Sequence, residues 1–157
     1  MASFLNTENL PRGLRNNNVG NIIKTKLDWL GKVPHAYNTD KRFEQFIELK
    51  YGIRALFRDI LNDVKKGQNT IYKLISSYAP PSENNTIAYI SSVSKATGLA
   101  PHTKIKALDK TMLIALAKSI THIENFGGQN LKYSALVKDS DYEEAFAILN
   151  DTEVKKK

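Results

Sequence analysis

The chain has 157 residues, 41% of them hydrophobic and 25% charged, with a formal net charge of +7. That length and apolar content suffice for one soluble domain with its own core. The lack of cysteine excludes disulfides and cysteine-ligated zinc. The positive charge suits polyanions, either nucleic acid or an anionic cell-wall or lipopolysaccharide surface.

Residues 1–11 read as a polar leader ending at Pro11, and Lys155-Lys156-Lys157 as a frayed basic tail. The leader has no basic region followed by an apolar core, so no secretory signal is expected, and no stretch is apolar enough to span a bilayer. Residues 12–150 are expected to form a single domain.

Arg15-Asn16-Asn17-Asn18-Val19-Gly20-Asn21 is too polar for a helix interior and favours turns, because asparagine side chains bond nearby backbone. Gly20 is free to take a positive φ or to admit a close neighbour. Each amide offers two donors and an acceptor, which suits hydroxyls and N-acetyl groups without adding charge. An asparagine-rich turn is the plainer expectation from local chemistry; a sugar-binding cleft is the functional one. Short β-like pieces follow at residues 21–26, 29–33 and 42–46, punctuated by Gly31, Pro34 and Asn38-Thr39-Asp40. They predict a small antiparallel sheet. Trp29 is expected to cap it hydrophobically.

From Leu49 the period becomes helical: Leu49, Ile53, Leu56, Phe57, Ile60, Leu61 and Val64 form one stripe, stopped by Gly67. Asn69 or Thr70 caps a short helix ended by Pro80-Pro81. A further helix carries Ile87, Ile90 and Val93 inward and stops at Gly98. Asp109 caps a helix with a broad apolar face, Met112, Leu113, Leu116, Ala117, Ile120 and Ile123, which is expected to be the most enclosed. The last helix runs from about Ser140 to Leu149. The expected fold class is α+β, mainly helical, with a small N-terminal antiparallel sheet.

The three histidines are far apart and lack metal-ligand spacing, so neither a metal nor another cofactor is expected. Glu124 sits where an apolar helix gives way to Gly127-Gly128. A carboxyl there, beside Ile120, Ile123 and Phe126, would have its pKa raised by desolvation, as a general acid for glycosidic cleavage requires. The plainer expectation is a surface glutamate at a helix end. Glu83 is expected either to serve the dipole of the following helix or to act as a second carboxylate.

Four stretches match one pattern. Arg12-Gly13-Leu14-Arg15-Asn16-Asn17-Asn18-Val19-Gly20-Asn21-Ile22 resembles RGIRNNNPGNI, and Tyr51-Gly52-Ile53-Arg54-Ala55 matches YGIRA after an F-x-x-F pair at Phe43 and Phe46. Tyr78-Ala79-Pro80-Pro81-Ser82-Glu83-Asn84-Asn85-Thr86 resembles WAPPxENxT, and Leu116 to Asn125 resembles L-x-x-AIxxHENG. In order, from about residue 12 to 130, they resemble a family of small phage and prophage proteins. Its members are labelled virion structural proteins or lysozyme-like peptidoglycan-degrading proteins. Val19 replaces proline, Tyr78 replaces tryptophan, and Ile123 is inserted before Glu124.

The resemblance implies a lysozyme-like domain, circularly permuted because the asparagine segment precedes the glutamate helix. It implies a peptidoglycan-cleaving glycosidase, a lytic transglycosylase or muramidase acting in lysis or entry. Glu124 would be catalytic, and Asn17, Asn18, Asn21, Tyr78 and Glu83 would bind substrate. The partners would be bacterial peptidoglycan and other virion proteins. The location would be the virion, or the host cytoplasm with release to the periplasm. The alternatives are a non-enzymatic virion structural protein and, from charge alone, a basic nucleic-acid-binding module.

Overall fold

The structure, a computed structural model, describes residues 2–79 and 85–154. It is mainly helical: α1 (Arg12–Arg15), a 3-10 turn (His35–Tyr37), α2 (Leu49–Lys65), α3 (Ile71–Tyr78), α4 (Thr86–Thr97), α5 (Lys110–Asn125), a longer 3-10 stretch (Gly128–Leu136) and α6 (Asp139–Ala147). No helix among the described residues is long and apolar enough to cross a membrane.

The predicted helices form, with one correction: on α4 Ile90 and Val93 are buried as expected, but Ile87, expected inward, is 79% exposed because it lies in the first turn on the solvent side. Thr70 caps α3 by accepting from the Lys73 N–H at 3.0 Å, and Asp109 caps α5 through the Met112 N–H at 2.9 Å. Gly98 ends α4 in the left-handed conformation (φ 73°), where a side chain would be strained.

The predicted sheet is a correction. Among the described residues there is no strand, only two isolated antiparallel bridges, Ile23–Phe43 and Lys32–Phe46. The reason is local. Buried backbone groups need partners, and much of this segment finds them in side-chain amides and carboxylates rather than in a ladder.

The chain divides into two compact units, Met1–Leu56 with Glu124–Lys157, and Phe57–Ile123. The boundaries fall inside α2 and α5, so no linker composition marks them. In the first unit Phe46, Tyr51 and Ala55 form a buried cluster, against which Ile22, Trp29, Leu30 and Ile148 pack. Trp29 therefore packs on the core as expected, without a sheet to cap. Arg54 donates to the carbonyls of Ile148 (3.1 Å) and Asp151 (3.0 Å), placing a cation at the C-terminal end of α6. In the second unit α3 packs on α4. On α3 Ile71, Leu74 and Ile75 are wholly buried, and on α5 Leu113, Leu116, Ala117 and Ile120 are almost wholly buried as its broad face predicted, whereas Ile123 at the end of that face is half-buried.

The N-terminal stretch is not a loose leader. The Phe4 N–H donates to Asn17 Oδ1 (2.8 Å), the Asn6 N–H to the Arg15 carbonyl (2.8 Å), and the Leu49 N–H to the Ala2 carbonyl (2.9 Å). Deleting residues 2–6 is therefore expected to destabilise the first unit by about 2–4 kcal/mol, because each buried hydrogen bond contributes about 1 kcal/mol. Chemical denaturation checks this; an unchanged midpoint would mean that the stretch is passive.

Candidate functional site

The asparagine run is the internal scaffold of the first unit. Asn17 and Asn18 are wholly buried and Asn16 is nearly so. Asn17 donates to the Phe46 carbonyl (2.8 Å) and to Ser3 Oγ (3.0 Å). Asn18 donates to the carbonyls of Ile22 and Glu44 (both 3.0 Å) and accepts from the Ile22 N–H (2.9 Å). Asn16 bridges Asp40 and Gln45. Amides committed in this way have no free atom to offer a sugar, so Asn17 and Asn18 position the site rather than line it. Asn17 and Asn21 occupy the left-handed region (φ 51° and 49°), which asparagine tolerates. Gly20 does not. It serves close approach instead, since a Cβ there would meet Leu56 Cδ1 at 3.0 Å.

Asn21 is different. Its Nδ2 lies 3.4 Å from Glu124 Oε2, although the two are 103 residues apart. This is long for a hydrogen bond. Asn21 Oδ1 is buried without a partner among the described residues. Glu124 is half-buried at the C-terminal end of α5. Its neighbour Asn125 is buried and donates to the Val19 carbonyl at 2.8 Å. Asn125 thus docks the helix end onto the asparagine loop and sets Glu124 beside Asn21. Sequence reasoning missed this anchor, because an asparagine before Gly127-Gly128 reads as a helix stop.

Two carboxylates brace the loop around this site. Asp40 accepts from Arg12 Nε and Nη2 (both 2.9 Å), from the Arg42 and Phe43 N–H groups (both 2.8 Å) and from Asn16. The Arg12 guanidinium, foremost, holds the Asp40 carboxyl well below the usual carboxylate range; burial opposes this, and the Phe43, Arg42 and Asn16 donors add to it. A depressed folded-state pKa contributes stability above the unfolded value near ~3.9, and that stability is lost as pH falls below it. Wild type is therefore expected to lose more thermal stability than Asp40→Asn between about pH 5 and pH 2, so that the gap between them narrows in acid. Thermal melts across pH check this; a gap independent of pH would contradict it.

The second carboxylate, Glu44, is wholly buried. It contacts His35 Nε2 (2.8 Å), the Thr25 N–H (3.1 Å) and Lys32 Nζ (3.8 Å). A charged residue among Phe43, Gln45 and Phe46 was the available signal for it. It ties three loop segments together at a point where a ladder would otherwise be required.

Tyr78 belongs to the second unit. Its hydroxyl lies 2.7 Å from Asp59 Oδ2 and 3.3 Å from Asp63 Oδ2, two carboxylates one turn apart on α2. Burial, with both carboxylates adding, pushes the phenol far above its ordinary pKa. Burial first, and then Asp59, raises Asp63. The hydroxyl is thus committed within its own unit. Glu83 lies outside the described residues. Among the described residues no cluster of three or more His, Asp or Glu side chains could hold a metal ion.

No family model matches the chain. It is 33% identical over 135 residues to Protein P5 of Pseudoalteromonas phage PM2, covering 83% of this chain and 81% of that protein. At that identity and coverage, the chain belongs to the family of this phage protein.

Proposed function

We propose that the protein is a phage-encoded glycosidase that cleaves the glycan strands of peptidoglycan, with Glu124 as general acid. One observation carries this: the Glu124 carboxyl at a helix end lies beside the Asn21 amide, held there by Asn125. Kinship with a phage protein supports the biological setting. The lysozyme-like, permuted architecture belongs to the same proposal and rests on the motif resemblance.

In this mechanism the Glu124 proton passes to the glycosidic oxygen as the C–O bond breaks. A hydroxyl of the same sugar then attacks the oxocarbenium-like centre and gives its proton to the Glu124 carboxylate. The product is an anhydro sugar, so the route needs no second carboxylate. Asn21 orients the Glu124 carboxyl through its Nδ2. Asn17 and Asn18 act through the loop they fix. Glu83 is the remaining candidate for a second carboxylate, which would make the enzyme a hydrolase. The enzyme would act during entry as part of the particle, or at lysis.

A second reading, a non-enzymatic phage-particle protein, is favoured by the saturation of Asn17 and Asn18, which leaves fewer groups for a glycan. A zymogram on purified cell walls separates the two. Clearing by the wild type supports the enzyme. A folded wild type that clears none of several wall types supports the particle component.

A further inference from the structure

The basic charge is unevenly distributed. The segment Phe57–Ile123 holds nine Lys and Arg against four Asp and Glu, a net of +5. The other unit, without its three terminal lysines, has eleven against twelve. Within the basic unit a half-open groove of about 330 Å³ runs between the C-terminal half of α2 and residues 105–108. Arg58, Lys65 and Lys106 line it, over an apolar floor that includes Leu61, Val64 and Leu108. All three cations are exposed, and none has a carboxylate partner among the described residues. The acids nearby in sequence are occupied: Asp59 and Asp63 by the Tyr78 hydroxyl, Asp109 by the cap of α5.

We infer that this groove binds the peptide portion of peptidoglycan: an extended, carboxylate-bearing peptide with small apolar side chains. Arg58 and Lys65 are separated by about 10 Å along the helix axis, and an extended peptide covers that in about three residues. The cations pair with its carboxylates while the floor takes its methyl groups. No aromatic ring lines the groove, so it lacks the stacking platform that single-stranded nucleic acid uses. The inference rests on peptidoglycan being the substrate. It adds a second, non-catalytic contact to the wall, in the unit that does not contain Glu124.

The test is co-sedimentation with insoluble peptidoglycan, performed with full-length Glu124→Gln so that cleavage does not enter. Arg58→Gln/Lys65→Gln/Lys106→Gln is expected to weaken binding about tenfold. Lys26→Gln/Lys41→Gln/Lys132→Gln, which removes the same charge from exposed positions of the other unit, is expected to change it little. The single Lys106→Glu, on an exposed position, should weaken binding in the same direction. On glycan stripped of its peptides the two triple variants should bind alike. Equal losses from both triples on intact wall would overturn the inference, as would a difference that persists on stripped glycan. Unchanged wall binding with lost affinity for duplex DNA or anionic vesicles would reassign the groove to phosphates. Failure of the cleavage proposal would appear in the zymogram and not here.

Discussion

Glu124→Gln is expected to lower wall clearing by about 10²–10⁴-fold, the usual loss when a general acid is removed. Glutamine keeps the shape, and its carbonyl oxygen still accepts from the Asn21 amide, so the fold and glycan binding should survive. It has no proton to give to a leaving oxygen. Glu144→Gln, at an exposed position on α6, is the charge-matched control and should cost little. Glu48 is a poorer control, because it is half-buried and lies 3.9 Å from Lys50 Nζ. A turbidity assay reads both variants. Equal loss in both would indicate electrostatic adhesion to the wall, and full activity in Glu124→Gln would move the search to Glu83.

Gly52→Ala is expected to destabilise the first unit by at least about 3 kcal/mol, the upper end for overpacking. A Cβ at Gly52 would land on the Asn17 carbonyl oxygen, with the Asn18 Cα 3.3 Å away. That backbone is poorly placed to yield: Asn17 is left-handed and its side chain is bonded to Phe4, Ser3 and Phe46. Gly127→Ala is the control, since nothing lies within 4 Å of a Cβ there and φ is −73°. Denaturant titration distinguishes the two. A mild effect at Gly52 would mean that α2 can withdraw from the asparagine loop.

These expectations differ in how far the sequence alone revealed them. The helices were legible because apolar residues recur at three and four and because Thr70, Gly98 and Asp109 are capping types. The 3-10 stretch Gly128–Leu136 was not, since it has no sustained period. Residues 21–46 read as strands because short β-like runs are visible locally, whereas the partners of their backbone groups are not. Asn16, Asn18, Asp40 and Glu44 meet much of that demand from the side. Turn chemistry was correctly expected at Asn16 to Asn18, but their partners at residues 3–4 and 44–46 are long-range and leave no local signature. Gly52 shows the same limit: a glycine inside a helical stripe announces a close approach, but not to Asn17. Two compact units were hidden because α2 and α5 run through both boundaries. At the site, Glu124 and Asn21 were singled out separately. Their adjacency, and the Asn125 anchor that produces it, appear only in the fold.

The most direct measurement of the central claim is mass spectrometry of the soluble fragments released from purified peptidoglycan by the wild-type protein. The account predicts glycan fragments ending in an anhydro sugar, absent from the Glu124→Gln digest and present in the Glu144→Gln digest. Fragments cut only at peptide bonds, or no soluble fragments from well-folded protein on several wall types, would contradict it.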